Sequence, residues 1–196
     1  MGSTKIMDLK TLLERNLDLT WWQEPEIGTD KGGYPGEHDY INSFYNEEFK
    51  KYQNKEIKLL EIGVYKGASL ALWSKYFTKG EIYGLDIVDQ RVEKYQNLDR
   101  VIMGVCNAYF PEVAGQLPNF DIIIDDGPHT IETLQSCIEL YLPKLNEGGV
   151  MVLEDIQDTS WFPLLIAKLP EDVEYECIDL RENLGRYDDL LLVVRT

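Results

Sequence analysis

Five short runs of aliphatic and β-branched residues recur from residue 57 onward, and most of them lack polar alternation. Such runs are typical of strands covered on both faces, because neither face then needs polar side chains. The runs lie at 57–62, 81–86, 100–103, 120–125 and 149–153. Candidate helices lie between them at 67–77, 111–117 and 131–145, and Gly148 with Gly149 should end the last one. This alternation predicts a doubly wound parallel sheet.

The pattern changes after a predicted helix at 161–168. Two further strands are expected at 173–180 and 190–194, and the connection 181–189 is too short for a crossover helix. These two strands should therefore be antiparallel neighbours. The prediction is a three-layer, Rossmann-like α/β sheet of seven strands that is mostly parallel, with an antiparallel last strand.

Residues 1–56 do not follow the alternating scheme. Predicted helices at 7–15 and 41–52 flank a loop at 28–40 that is rich in glycine and polar residues. A loop of this kind is either a mobile surface connection or a lid over a site. We therefore expect a helical N-terminal arm and lid at 1–56, followed by a catalytic unit at 57–196. Exposed aromatic residues in this arm would also suit a homo-oligomer.

The chain carries 35 acidic and 19 basic side chains, which gives a formal net charge of -16. Binding to nucleic acid or to anionic lipid normally depends on clustered Lys and Arg, so the charge argues against both partners. The sequence contains no apolar stretch of roughly 20 residues and no apolar secretory signal at its start, which predicts a cytoplasmic protein. Its three cysteines lack CxxC spacing, so neither a zinc cluster nor a disulfide framework is indicated.

A glycine turn follows the first predicted strand, where Glu61 precedes Gly63 and Gly67. Glycine lets the backbone approach a ligand closely, and the N-terminus of the next helix offers free N–H groups. The third glycine of a dinucleotide fingerprint is missing, which argues against a dehydrogenase. Asp86 ends the second strand, where such folds bind ribose hydroxyls, although it could instead cap a helix.

Acidic residues also follow the fourth and fifth strands. Asp125, Asp126 and His129 come after the fourth strand, and Glu154 with Asp155 after the fifth. Carboxylates roughly 4 Å apart repel by about 4 kcal/mol per pair, so protons or a metal must be present, and oxygen ligands suit Mg²⁺ or Mn²⁺. Asp125 should point away from Asp126 and bond locally or touch the cofactor. The plainer alternatives are a helix N-terminal pair for Glu154 and Asp155, and a capping role for His129.

The glycine turn, the acid after the second strand and the antiparallel last strand resemble the class I S-adenosylmethionine-dependent methyltransferases. In that family the glycine turn lies against the methionine part of the cofactor, the acid binds the ribose, and the residues after the third strand contact the adenine. The resemblance implies these cofactor-binding residues: Glu61, Gly63, Tyr65, Lys66, Gly67, Ser69, Asp86, Asn107, Ala108 and Asp125.

Four further segments resemble the metal-dependent sugar O-methyltransferases of the macrocin and mycinamicin type. These segments are Gly-Thr-Asp-Lys at 28–31, Asp-Asp-Gly-Pro-His at 125–129, Glu-Asp at 154–155 and Arg-Tyr-Asp-Asp-Leu at 186–190. Pro128 departs from the serine usual in that family. The resemblance implies Asp126, Glu154 and Asp155 as metal ligands and His129, with Asp126, as catalytic residues. It places these lid or substrate residues in the N-terminal loop: Thr29, Asp30, Lys31, His38 and Tyr40.

These signals together predict a Mg²⁺-dependent O-methyltransferase that uses S-adenosylmethionine. The expected acceptor is a small molecule or glycan with vicinal hydroxyls, such as a sugar or a glycosylated small molecule. A catechol or another polyphenol would chelate the metal equally well, so this acceptor class stays open. A non-catalytic module that retains the cofactor pocket is the alternative from another functional class.

Overall fold

The computed structural model describes residues 7–196 and places seven strands in one sheet, in the order β3-β2-β1-β4-β5-β7-β6. Strand β7 runs antiparallel to β5 and β6, and the remaining pairs are parallel. This arrangement confirms the predicted sheet and its antiparallel last strand. The strands are β1 Lys58–Ile62, β2 Glu81–Asp86, β3 Val101–Val105, β4 Phe120–Asp125, β5 Leu145–Leu153, β6 Glu174–Asp179 and β7 Leu190–Arg195.

Helices cover both faces of the sheet. They are α1 Leu9–Glu14, α2 Asn46–Glu48, α3 Ala68–Tyr76, α4 Pro111–Gln116, α5 Ile131–Tyr141, α6 Phe162–Ile166 and α7 Arg181–Leu184. Helix α2 is the middle of a continuous helical segment at 41–51, which starts with a π-helical turn and ends with a 3-10 turn. None of the helices in residues 7–196 is long and apolar enough to cross a bilayer.

The prediction that one helix runs over 131–145 and stops at the glycine pair is wrong. Helix α5 ends at Tyr141, and Pro143 lies in the 3-10 turn that follows. Proline lacks the N–H needed to continue a helix, and its ring clashes with the preceding turn. Strand β5 therefore begins at Leu145 and includes both glycines, with Gly148 at a φ of +74° and an irregular register against β4.

Two apolar clusters fill the spaces between the sheet and its two helical layers. In β1, Leu59 belongs to one cluster and Leu60 to the other, because successive side chains point to opposite faces. The first cluster includes side chains from α1, from 41–51 and from α3, and the second includes those from α4, α5 and α6. The absence of polar alternation in the sequence reflects this burial on both sides.

The described part of the predicted N-terminal arm, residues 7–56, packs directly on the sheet layer. Tyr45 and Phe49 lie against Trp73 of α3, each at a ring-centroid distance of 5.6 Å, and Phe49 lies at the same distance from Phe77. Tyr45, Phe49 and Trp73 are fully buried. Residues 7–56 thus share a core with the segment that follows them. Residues 1–6 of the predicted arm lie outside the described residues.

Candidate active site

A cavity of about 450 Å³ opens at the carboxyl ends of the parallel strands. It lies where the strand order reverses between β1 and β4, which is the usual ligand position in open α/β sheets. The size is within the range of small-molecule sites. The predicted residues that line it are Thr29, Asp30, Gly63, Tyr65, Lys66, Gly67, Ser69, Asp86, Asn107, Ala108, Asp126, His129 and Asp155.

The floor of the cavity depends on close packing between two turns. Gly63 has a φ of +85°, and a Cβ placed on it would lie 1.9 Å from the carbonyl oxygen of Asp126. The Asp126 N–H in turn donates to the Ile62 carbonyl at 2.8 Å. Only glycine permits this contact, so the predicted glycine turn brings the end of β1 against the acidic turn after β4.

Asp86 braces the glycine turn as well as lining the cavity. Its Oδ2 accepts hydrogen bonds from the N–H groups of Val64 and Tyr65, each at 2.9 Å. Its Oδ1 receives only a long contact of 3.5 Å from the Val88 N–H. The alternative helix-capping role is wrong, because the next helical turn has its N-cap at Val92.

Two of the predicted cofactor residues lie beneath the cavity rather than on its wall. Glu61 is fully buried and accepts a hydrogen bond from the Ser69 hydroxyl at 2.8 Å, and burial raises the pKa of its carboxyl to about 7. Asp125 accepts hydrogen bonds from the Tyr109 hydroxyl at 2.7 Å and from the Gly127 N–H at 3.1 Å. Burial likewise raises the pKa of Asp125 to about 6. Tyr109, which the sequence did not indicate, thus supports the turn after β4.

Lys31 lies inside the predicted metal-binding cluster. Its ammonium group forms an ion pair with Asp126 at 2.6 Å and another with Glu154, and its side chain is 2% exposed. The second Glu154 oxygen accepts a hydrogen bond from the Tyr45 hydroxyl at 2.5 Å. Although burial lowers the pKa of Lys31, the two neighbouring carboxylates raise it well above its usual value. A lysine therefore supplies positive charge where the sequence indicated protons or a metal.

Asp155 lies between the two histidines of the chain. The His38 Nε2 is 3.6 Å from Asp155 Oδ1, and the His129 Nε2 is 3.6 Å from Asp155 Oδ2. The Tyr40 hydroxyl donates to Oδ1 at 2.5 Å. Both Asp155 and His129 have a φ of +53°, and strained backbone of this kind persists where the surroundings enforce it, often at functional sites.

The capping alternatives for His129 and for the Glu154–Asp155 pair are both wrong. The N-cap of α5 is Thr130 rather than His129, and the helical turn after β5 is capped by Asp158 rather than by Glu154 or Asp155. These three residues are therefore available for other roles at the end of the sheet.

A set of donor atoms suitable for a divalent cation is present at the cavity. One atom from each of Asp126, His129 and Asp155 lies within 4.8 Å of the others. Carboxylate oxygens with one imidazole nitrogen fit Mn²⁺, and they fit Mg²⁺ through the oxygens. The predicted ligand Glu154 is outside this set because Lys31 and Tyr45 bind its oxygens.

The N-terminal loop contributes to the cavity wall and to the layer beneath it. Thr29 and Asp30 line the cavity, whereas Lys31, His38 and Tyr40 are buried behind it. The His38 Nδ1 lies 2.5 Å from Asp189 Oδ1, and burial lowers the pKa of His38 to about 4. The segment expected to act as a lid is thus packed against the start of β7.

Comparison with known proteins gives a consistent picture. A family described as "Methyltransferase domain" matches residues 60–156. Demethylmacrocin O-methyltransferase of Streptomyces fradiae is 33% identical over 163 residues, covering 79% of this chain and 38% of that protein. Mycinamicin VI 2''-O-methyltransferase of Micromonospora griseorubida is 35% identical over 131 residues, covering 62% of this chain and 33% of that protein. The chain thus spans less than two fifths of the length of these relatives.

A solved structure extends the likeness to nearly the whole chain. The MycE methyltransferase from the mycinamycin biosynthetic pathway, in complex with Mg, SAH and mycinamycin VI, aligns with a TM-score of 0.66. The identity is 25%, and the alignment covers 98% of this chain and 55% of that one. The seven-stranded sheet and its antiparallel strand are therefore those of a methyltransferase fold.

Proposed function

Because this chain belongs to the class I methyltransferases, we propose that it transfers a methyl group from S-adenosylmethionine to a hydroxyl oxygen. The acceptor in this proposal is a sugar, free or carried on a small molecule. The relatives support this acceptor class, since they include O-methyltransferases named for demethylmacrocin, for mycinamicin VI and for a rhamnosyl tetracenomycin. The observation that carries the proposal is the cluster Asp126, His129 and Asp155 beside a cavity at the switch point of the sheet.

The cofactor would occupy the part of the cavity bordered by the glycine turn. Gly63 and Gly67 allow close approach of the methionine part of the cofactor. Asp86 would bind the ribose through Oδ1, which has only a long contact with the Val88 N–H among the described residues. Asn107 and Ala108 border the expected adenine position. Glu61 and Asp125 would act indirectly, by holding Ser69 and the turn after β4 in place.

Asp126 and Asp155 would hold Mg²⁺, or Mn²⁺, at the mouth of the acidic cluster. When bound, the cofactor supplies the methyl group and the cation lowers the pKa of a coordinated hydroxyl. Glu154 would bind the cation only if its ion pair with Lys31 were broken. In the arrangement described, Lys31 instead fixes the positions of Asp126 and Glu154 through two ion pairs.

His129 would take the proton from the acceptor hydroxyl. Its Nε2 lies on the cavity side, 3.7 Å from Asp126 Oδ1 and 3.6 Å from Asp155 Oδ2. Neither distance is a hydrogen bond, so this nitrogen is free to accept a proton from a bound hydroxyl. Two neighbouring hydroxyls held beside these carboxylates would fix one oxygen in position for attack, which is the main contribution of the protein to the rate.

The proposal is tested by calorimetric titration with S-adenosylmethionine, followed by methyl-transfer assays over glycosides, free sugars and catechols. Glycoside methylation that stops when EDTA removes the metal is the expected result. Preferential methylation of catechols would overturn the acceptor class. Activity unchanged by exhaustive chelation would remove the cation from the mechanism, and failure to bind the cofactor would overturn the whole proposal.

Variants separate the roles of the site residues. His129→Gln should lower the rate by about 10²-fold or more while cofactor binding persists. The affinity for the cation distinguishes the two roles that His129 could have. Loss of a base leaves this affinity unchanged, whereas loss of a ligand lowers it. Glu132→Gln, an exposed change on the following helix, is the matched control. A protein that binds cofactor but methylates none of the acceptors, with or without His129, would be a non-catalytic module.

A further inference from the structure

We propose that the chain binds a second divalent cation, through His38 Nε2, Asp155 and Asp188, behind the cavity described above. One donor atom from each of these three residues lies within 4.8 Å of the others. Asp155 belongs to both donor sets and would bridge the two cations. Binding of this ion does not require methyl transfer, so the inference goes beyond the proposed function.

The orientation of His38 is that of a metal ligand. Its side chain is 1% exposed, and its Nδ1 lies 2.5 Å from the carboxylate of Asp189. A neutral imidazole has one donor and one acceptor nitrogen, so donation from Nδ1 leaves a lone pair on Nε2. Imidazoles that bind metals usually donate their other N–H to a carboxylate in this way. Asp189 would be the residue that fixes the tautomer.

The lone pair of His38 faces other acceptors. Nε2 lies 3.6 Å from Asp155 Oδ1 and 3.7 Å from Asp30 Oδ2, and it forms no hydrogen bond with any described residue. Both distances exceed a hydrogen bond. Asp188 is also buried, and its Oδ1 atom likewise accepts no hydrogen bond from any described residue. Acceptors turned towards one another in a buried space are favourable only when a proton or a cation lies between them, and a bound cation would satisfy all three groups at once.

The surrounding charge also favours a second cation. Two permanent cations, Lys31 and Arg186, lie among the carboxylates, and Arg186 Nε is 3.4 Å from Asp188 Oδ1. These two charges leave most of the acidic groups uncompensated if all are ionised. The carboxylates concerned are Asp30, Asp126, Glu154, Asp155, Asp188 and Asp189. Two divalent ions would balance the excess.

The donor types indicate which ion this is. Imidazole nitrogen combined with carboxylate oxygen suits a first-row transition metal such as Mn²⁺ better than Mg²⁺, which prefers oxygen alone. A bound ion would also join three parts of the chain: the N-terminal loop at His38, the end of β5 at Asp155 and the segment before β7 at Asp188. The second ion would therefore stabilise the packing of that loop.

The test is Mn²⁺ binding to the full chain after removal of metals with EDTA, with no cofactor or acceptor present. Calorimetry should give two equivalents for the unmodified protein and one for His38→Asn, whose amide lies near the Nδ1 position and keeps a donor for Asp189. Paramagnetic resonance should show coupled Mn²⁺ ions in the unmodified protein and not in the His38 variant. Asp39→Asn, a change in the same loop outside both donor sets, is the control and should retain two equivalents.

Asp188→Asn provides a second variant, and circular dichroism with thermal unfolding establishes that both variants fold. Mn²⁺ should raise the midpoint of thermal unfolding less in each variant than in the unmodified protein. Mn²⁺ binding that both variants retain in full, whether one equivalent or two, would overturn the proposal. Because methyl transfer is not measured, failure of the proposed O-methyltransferase activity would leave this result intact.

Discussion

At the scale of single residues, Lys31 determines the character of the acidic cluster. A buried ammonium group neutralises part of the repulsion between Asp126 and Glu154 without any bound ion. The sequence placed this lysine among the lid or substrate residues, because its Gly-Thr-Asp-Lys segment resembles that of the family. Its partner Glu154 lies 123 positions away, and no local pattern records a contact over that distance. The sequence therefore predicted the acidic residues of the cluster but not the lysine ammonium group that lies between two of them.

Replacing Lys31 by Met should lower the free energy of unfolding by about 3–5 kcal/mol, because the buried Glu154 and the partly buried Asp126 lose their partner. Lys168→Met removes an exposed pair with Glu139, and the loss there should stay below about 1 kcal/mol. Urea unfolding in EDTA measures both. Equal effects of the two changes would show that the buried pairs contribute no more than a surface contact.

The glycine turn gives a second residue-scale prediction. Gly63→Ala adds backbone strain of about 1–2 kcal/mol and a collision with the Asp126 carbonyl. Gly36→Ala adds the same strain, at a φ of +89°, and no atom of residues 7–196 lies within 4 Å of the new Cβ. Thermal unfolding should therefore show a loss for Gly63→Ala about 1–3 kcal/mol larger. Cofactor binding should weaken only in Gly63→Ala.

The buried Glu61 predicts a pH dependence of stability. Its folded pKa of about 7 lies above the value of about 4.3 in unfolded chains, so the native state retains a proton that the unfolded state releases. The stability from this group is complete below about pH 4 and is lost as the pH rises through about 7. Glu61→Gln cannot titrate and should remove about 3 kcal/mol of that decline.

Urea unfolding at about pH 5 and about pH 8 measures this difference. Glu171→Gln, at an exposed position remote from the cavity, should follow the unmodified protein at both values. If the free energy of unfolding falls between these pH values by the same amount in Glu61→Gln as in the unmodified protein, other groups account for the pH dependence.

At the scale of elements, the sheet was largely predictable and its connections less so. The runs that became β1, β2 and β4 are apolar on both faces, and burial on both faces made their positions clear. The start of β5 was missed because Gly148 and Gly149 indicated a helix end, whereas Pro143 had already ended α5. The short helix α7 in the final connection was also missed, since four residues are too few for a periodic pattern.

The contact between segment 41–51 and α3 yields a prediction at this scale. Phe49→Ala should lower the free energy of unfolding by about 3–5 kcal/mol, because a fully buried ring is removed from the cluster with Trp73 and Phe77. Trp22→Ala changes an aromatic residue of the same arm that is 56% exposed, and should cost less than about 1 kcal/mol. Thermal unfolding compares them. A mild effect of Phe49→Ala would mean that residues 7–56 are only loosely attached.

At the scale of the whole molecule, the acidic residues that give the net charge of -16 fall into two groups. Most acidic side chains are solvated, but a group of them converges at the carboxyl edge of the sheet around Lys31, His38 and His129. The motifs after β4 and β5 predicted where this group lies. Its second half, Asp188 and Asp189, lies in the segment 186–190 that resembles the family, but nothing in the sequence assigned these residues a role in the cluster, because only the antiparallel return of β7 brings them back to the same edge.

The overall charge predicts weak interaction with polyanions. In a filter-binding assay at low ionic strength, the protein should retain no RNA at concentrations where a basic control protein saturates, because it lacks the charge excess that releases counterions. Saturable, salt-sensitive RNA binding would contradict this expectation and would make RNA a candidate acceptor.

The pairing of His38 with Asp189 spans 151 positions of the chain. During synthesis, a ribosome adds roughly 5–20 residues per second, so His38 emerges roughly 8–30 s before its partner exists. Late in that interval the N-terminal loop can already contact the ends of β4 and β5, but His38 has no carboxylate at its Nδ1. Completion of the acidic cluster must therefore be a late event in the life of each nascent chain, and truncated translation products would carry its first half without its second.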